Sequence, residues 1–330
     1  MSVHVIIVNY RVADLAMACL RSLVEERARV PGLRATVVEN DSGDEAALRA
    51  GLRDATFDGW VDLIVAERNG GFSYGNNHVM RRLLEGSDAA EYVLLLNPDT
   101  QIRPGAVETL VAFMEANPKV GLAGAGLENE DGSEWPIAFR FPGVLSEFES
   151  GASFGPISKL LRKYAVAQTM GDAAQPVDWV PGAAMIVRRQ VLHDAGLMDE
   201  RYFLYFEETD FCLAARRAGW PCWYVPDARV MHIAGQSTGV TVRNQRPARL
   251  PGYWFESRRH YFVKNHGQFY AWMADMAFLS GLTLYHAKRT LQRREDDGPP
   301  QLFRDFLHHS AILTGDRPKQ ADVTSDRQSR

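Results

Sequence analysis

The chain has 330 residues, 46% hydrophobic and 24% charged, with a formal net charge of −4. That size suits one large α/β domain with appendages, and the negative balance excludes a global basic field of the kind that gathers nucleic acid. Three cysteines, Cys19, Cys212 and Cys222, lack zinc-ribbon spacing, which excludes a disulfide framework and points to a reducing compartment.

The N-terminal apolar run (3–8) has no basic n-region and is too short for a signal peptide, so a cytoplasmic protein is expected. That run reads as a buried strand. A helix is expected over 14–23, strands over 35–39 and 61–66, a helix over 76–85 and a strand over 92–96. Pro104 then opens a helix with Val107, Leu110, Val111 and Met114 at helical spacing, and 120–126 returns to strand. This alternation predicts an α/β fold, a mostly parallel sheet covered by helices, with ligands at the strand ends. Residues 127–176 read as long loops with short helices. Strands over 178–189 and 221–225 flank a helix over 209–218. The expected catalytic domain is 1–252, in halves of about 1–126 and 127–252. A helical extension follows over 253–314, then a disordered polar tail over 315–330.

Several strand ends carry polar residues. Asn97, Pro98 and Asp99 close an apolar strand, and a carboxylate there suits a hard cation that in turn holds a diphosphate. Glu39 in VENDSGD suits a base or ribose. Asn69, Gly71 and Asn77 lie in a glycine-rich loop leading into a helix. Glu207, Glu208 and Asp210 open a helix, where acidic residues either offset the dipole or act as a general base. His232 ends ARVMH. Each segment alone also reads as an ordinary turn, helix start or structural histidine.

Their order is distinctive. VNY, VENDSGD, NGGFSYGNN, LLLNPDT, DWVPGAAMIVRR, FLYFEETDFCLAARRAGW and VMHIAG together resemble the family 2 inverting glycosyltransferases of GT-A fold, closest to the rhamnosyltransferase-like branch, over about residues 3–265. The resemblance implies Asp99 as a metal ligand, with Asn97 in the first position of the family's DxD motif, and His232 completing the metal site with Mg²⁺ or Mn²⁺. It implies Glu39 on the nucleotide base, with Asn9, Asn69, Gly71 and Asn77 on the donor side. Glu208 stands at the family's base position, with Glu207 and Asp210 as further candidates. Trp179, Pro181 and Gly182 line the acceptor side. The donor would be a dTDP-, UDP- or GDP-sugar, with dTDP-rhamnose favoured by the branch. The acceptor would be a glycan or a lipid-linked sugar in cell-surface polysaccharide synthesis.

A nucleotidyltransferase and a catalytically silent nucleotide-sugar-binding protein stay open as alternatives. A Rossmann dehydrogenase is disfavoured, since no GxGxxG follows the first strand. In the extension, Phe269, Trp272, Met273, Met276, Leu279, Ser280, Thr283, Leu284 and Ala287 form one stripe. Arg258, Arg259, Lys264, Lys288, Arg289, Arg293 and Arg294 gather around it. Residues 269–294 either pack against the catalytic domain or a second subunit, or lie on a membrane surface.

Overall fold

The computed structural model describes residues 2–86, 90–233 and 247–314. Its described residues form a nine-stranded sheet and divide into two compact units. The first unit comprises Met1–Phe141, Val166–Phe203 and Glu207–Val242. It holds β1 (Ser2–Asn9), β2 (Gly32–Glu39), β3 (Val61–Val65), β4 (Tyr92–Leu96), β5 (Thr100–Ile102), β6 (Leu122–Glu128), β7 (Gln175–Val177), β8 (Ala184–Arg188) and β9 (Cys222–His232). The strand order is β3-β2-β1-β4-β8-β6-β9-β5, with β7 also on β9. The same unit carries helices α1 (Ala13–Ser22), α2 (Val24–Arg29), α3 (Glu45–Gly51), α4 (Gly71–Glu85) and α5 (Ala106–Ala116).

The first four strands are parallel, as their unbroken apolar runs predict: β4 is buried at every position because both sheet faces are covered. Beyond β4 the sheet is mixed. β8 runs antiparallel to β4 and β6, while β5 and β7 run antiparallel to β9. β9 is longer than the expected 221–225 because it continues past Pro226. Between Val225 and Arg229 the pairing with β6 shifts register, so the N–H that proline lacks falls where the ladder is already broken. A Cβ on Gly126 would stand 2.9 Å from the Pro226 carbonyl oxygen, so glycine is required opposite this bulge.

Helix α5 starts at Ala106 rather than at Pro104, and its exposed N–H groups are met by a carboxylate from α2. Glu26, fully buried, accepts from Gly105 N (2.6 Å) and Val107 N (2.8 Å).

The second unit comprises Pro142–Ala165, Leu204–Phe206 and Arg243–Arg330. It holds α6 (Val144–Ala152), α7 (Gly155–Leu160), α10 (Gly252–His266), α11 (Gln268–Leu291), α12 (Leu302–His309) and α13 (Ala311–Thr314). The intervening α8 (Arg189–Asp194) and α9 (Glu207–Arg217) belong to the first unit. The division differs from a single boundary at residue 252: α6, from the expected acceptor half, joins the C-terminal helices. It does so because Gly151 and Gly281 let the α6 and α11 backbones meet. A Cβ on either glycine would stand 2.4 Å from a carbonyl oxygen of the other helix.

Two of the supposed surface cations are in fact internal. Arg258 is 3% exposed and donates to Glu147 Oε2 (2.6 Å) on α6 and Asp275 Oδ1 (2.6 Å) on α11. Its guanidinium lies over the Phe262 and Phe306 rings. Arg259, also buried, donates to His309 O and Thr314 Oγ1. The apolar stripe likewise splits. The buried face of α11 is Ala271, Ala274, Asp275, Phe278, Leu279, Leu282 and Tyr285, whereas Phe269, Trp272, Met273, Met276 and Leu284 are exposed. No helix among the described residues is long and apolar enough to cross a membrane. The expected tail over 315–330 lies outside the described residues.

Burial pushes the Glu147 carboxyl above its usual range, and the Arg258 charge pulls it back. Arg258→Met strands two buried carboxylates. It is expected to cost about 3–5 kcal/mol, read as a lower urea midpoint for the C-terminal helices by circular dichroism.

Candidate active site

The polar residues cluster where the parallel strands end. Asn9 and Glu39 are direct neighbours in the β1–β2 register, and Leu96, the last residue of β4, pairs with Ile7 of β1. With strands roughly 4.8 Å apart, Glu39 and the residues after β4 lie on one edge, about two strand spacings from each other.

The Asn97–Asp99 turn and His232 are joined by backbone pairing. Thr100 of β5 pairs with His232 of β9, and Ile233 N donates to Asp99 O (3.0 Å). This register sets His232 Nε2 3.3 Å from Asp99 Oδ1 and 3.5 Å from Asn97 Nδ2. The turn is held from behind by Thr100 Oγ1, which donates to Asn97 O (2.7 Å), and by the Cys19 thiol. Asp99 is buried, and His232 Nδ1 is buried without a hydrogen-bond partner. Carboxylate oxygen and imidazole nitrogen are donors chemically suited to Mg²⁺ or Mn²⁺. Among the described residues no group of three His, Cys, Asp or Glu surrounds one point.

Glu208 reaches the same edge by another route. Asn97 N donates to Ala183 O (3.0 Å), and the adjacent Gly182 N donates to Glu208 Oε1 (3.1 Å). Two residues of backbone thus link the Glu208 carboxylate to the Asn97 turn. Gly182 permits the approach: a Cβ there would collide with the Phe72 ring at 2.7 Å and stand 3.2 Å from Glu208 Oε1. Glu208 is half-buried, yet its carboxyl is deep enough for desolvation to raise its pKa, with the Gly182 N–H opposing. Glu207 is buried with Oε2 unpartnered. Burial first, and then the Glu208 charge, push it well above the usual carboxylate range. Asp210, buried, accepts from the Tyr202 hydroxyl (3.2 Å). Trp179 stacks on Phe139 at 4.4 Å and donates to Arg140 O (3.0 Å), placing an aromatic wall two residues before the half-buried Pro181.

Other expected donor-side residues are engaged within the fold. The Glu39 carboxylate accepts from Asp41 N (3.1 Å), Ser42 N (2.6 Å) and Ser42 Oγ (2.5 Å), closing its own turn. Asn69 Oδ1 accepts from Asn40 Nδ2 (3.0 Å) and Gly71 N (3.1 Å), bracing the loop. Gly71, at φ +82°, is glycine because a Cβ would fall 1.9 Å from Phe203 O. The Asn77 amide is engaged by Met198 N, Met198 O and Glu200 Oε1, so it clamps 198–200. Asp44 was missed. It accepts from Asn9 Nδ2 (2.9 Å) and Ala13 N (3.1 Å), tying β1 to the residues after β2. Its signal was the third carboxylate of the VENDSGD segment already singled out.

A profile described as glycosyltransferase-like family 2 matches residues 2–248. An N-acetylglucosaminyl-diphospho-decaprenol L-rhamnosyltransferase of Mycobacterium tuberculosis is 31% identical over 187 residues, 54% of this chain and 61% of that protein. A dTDP-rhamnosyl transferase of Shigella flexneri, RfbF, is 24% identical over 210 residues, 62% of this chain and 61% of that one. The chain thus spans about three fifths of the length of these curated relatives. The crystal structure of GalNAc-T7 with UDP, GalNAc and Mn²⁺ aligns with a TM-score of 0.59 at 13% identity. The alignment covers 94% of this chain and 54% of that one, a likeness of GT-A fold.

Glu207 supplies a stability test. Its folded pKa is raised above the unfolded value, so it favours the fold at low pH, and that benefit is lost as pH rises through the folded pKa. Glu207→Gln removes the buried charge. The variant should melt at a higher temperature than the parent at pH 8, with the difference closing as pH falls below the ordinary carboxylate range. Equal melting temperatures at pH 8 would contradict the burial of a charged Glu207.

Proposed function

The chain belongs to the glycosyltransferase-like family 2, and from that premise we propose that it is an inverting glycosyltransferase acting with a nucleotide-sugar donor. The observation that carries the reading is the placement of the Glu208 carboxylate, through Gly182 and Ala183, beside the Asn97–Asp99–His232 cluster on one sheet edge. Glu208 takes the proton from an acceptor hydroxyl, and the freed oxygen attacks the anomeric carbon of the donor. The bond from that carbon to the diphosphate breaks, the nucleoside diphosphate leaves with the electron pair, and the configuration inverts. A raised carboxyl pKa suits this task, because it brings the base nearer to neutrality than an ordinary glutamate.

Asp99 and His232 would hold Mg²⁺ or Mn²⁺. When bound, that cation would offset charge on the leaving diphosphate. Asn9, Glu39 and Asp44 border the nucleotide end, with Glu39 acting through the turn it closes. Trp179, Pro181 and Gly182 border the acceptor. The rhamnosyltransferase relatives support dTDP-rhamnose as donor and a lipid-linked glycan as acceptor, a reading in which the protein works on polysaccharide precursors at the cytoplasmic side.

The test is incubation with dTDP-rhamnose, UDP-GlcNAc and GDP-mannose plus Mn²⁺, following nucleoside diphosphate release. One donor should turn over, and chelation should abolish turnover. Release from none of them, with donor binding intact, would leave a silent binding protein. Glu208→Gln should keep donor affinity and lower turnover by about 10²–10⁴-fold. Asp99→Asn should weaken donor binding only when the metal is present, measured by calorimetry with and without Mn²⁺. Near-full activity in Glu208→Gln would move the base to another carboxylate.

A further inference from the structure

The C-terminal unit has an apolar face that its own core does not use. Along α11, Phe269 (70% exposed), Trp272 (44%), Met273 (38%) and Met276 (55%) point away from the buried Ala271–Ala274–Phe278 face. Their spacing of three and four residues puts them on one stripe, which continues through the exposed Ser280, Thr283, Leu284 and Ala287. The stripe is rigidly mounted. Ala311, the first residue of α13, is held by three α11 side chains: its N–H by Asp275 (2.7 Å), its carbonyl by Trp272 Nε1 (2.8 Å) and Gln268 Nε2 (3.0 Å). Trp272 therefore shows its ring edge outward with its polar atom satisfied, as interfacial tryptophans do.

The apolar face continues from α11 through α13. Ile312 and Leu313 are exposed, and Leu313 lines a cavity of about 540 Å³ together with Leu307, Arg304, His308 and Arg249. Arg249 is neutralised there by a two-pronged pair with Asp305 (2.7 Å each), whereas Arg304 has no ion pair among the described residues. At the other end of α11, Lys288 donates to Ser153 O (2.8 Å) just ahead of α7. The segment that follows exposes Lys159, Leu160, Arg162, Lys163 and Tyr164, and its three cations carry no ion pair among the described residues. Over 142–165, 204–206 and 247–314 this unit has 12 Lys and Arg against 8 Asp and Glu, a surplus of four positive charges in a chain of net −4.

Exposed aromatic and methionine side chains on one helical stripe, with Arg304 beside Leu313 at one end and the cations of 159–163 beyond the far end of α11, complement a surface that is apolar beneath and anionic above. We propose that this face of the C-terminal unit docks on an anionic phospholipid bilayer. Phe269, Trp272, Met273 and Met276 enter the interface, and Arg304, Lys159, Arg162 and Lys163 meet the headgroup phosphates. The proposal deepens the lipid-linked acceptor reading and rests on it for its purpose, but it is measured without donor or acceptor.

The test is co-sedimentation of the full chain with vesicles of phosphatidylcholine alone and of phosphatidylcholine mixed with phosphatidylglycerol, at low and high salt. The chain should sediment with the anionic vesicles at low salt, and less at high salt. The double variant Phe269→Ser/Met276→Ser should lose roughly tenfold or more of that binding with an unchanged circular dichroism melt. Phe269→Ser alone serves if the double variant unfolds. Arg304→Glu/Lys163→Glu should remove the salt-sensitive part. Donor-dependent nucleoside diphosphate release should be unchanged in all these variants, so failure of docking and failure of the transfer reading are distinguishable. Absence of binding to anionic vesicles at low salt, or equal binding by the double variant, overturns the proposal. So does light scattering that shows a dimer for the parent and a monomer for the variant, since a second copy would then cover the face.

Discussion

The pairing of Thr100 with His232 is the constraint on which the candidate site turns. A three-residue strand contributes little to stability by itself, but it decides which side chains meet. Without that register, His232 ends a strand that contacts nothing catalytic, and the Asn97–Asp99 turn is one more loop. With it, a carboxylate, an amide and an imidazole converge within 3.5 Å. The turn between them is pinned by Thr100 and Cys19. Backbone ladders position the groups, the kind of rigid support a site needs if binding energy is not to be spent on assembling it.

The same edge tolerates polar groups that a core would reject. Among the described residues, Glu207 Oε2 and the side-chain oxygens of Asn9, Ser73 and Asn76 are buried without hydrogen-bond partners. Each such group costs on the order of 1–3 kcal/mol if nothing compensates it. Gly182 shows the matching constraint on the backbone: the smallest residue is placed where an N–H must reach a carboxylate between an aromatic ring and a strand. Tyr205 and Phe206, immediately before Glu207, both hold left-handed backbone, a conformation that costs non-glycine residues energy and clusters near functional positions.

The parallel half of the sheet was legible because its strands are buried on both faces and read as uninterrupted apolar runs. The other half was not. β5 is three residues long, too short for any periodicity, and Pro226 disguises the middle of β9 as a break, although the proline sits where the ladder already shifts. The C-terminal helices misled for a different reason. Arg258 and Arg259 look like surface cations until tertiary structure supplies Glu147, Asp275 and the backbone acceptors that allow their burial. On α11 large apolar residues lie on both sides, Phe278, Leu279, Leu282 and Tyr285 facing in with the paired Asp275, and Phe269, Trp272, Met273, Met276 and Leu284 facing out, so hydrophobicity read along the sequence does not single out the buried side. Among the site residues, Asp99, His232 and Glu208 were visible as polar groups at element ends. The part played by Asn77 was not, because a clamp and a ligand look alike until their partners are seen.

Electrostatics joins these points. Glu39, Asp44, Asp99, Glu207 and Glu208 lie at or near one sheet end, and none of them pairs with a lysine or arginine among the described residues. A nucleoside diphosphate is itself an anion. Bringing two unit charges of like sign to 4 Å costs about 1 kcal/mol in water and several times that near a protein surface. An anionic donor would therefore approach this edge favourably only if positive charge came with it, and under the proposed reading a divalent cation would find a carboxylate and an imidazole at the Asp99–His232 pair. The described part of the C-terminal unit instead carries a surplus of positive over negative side chains.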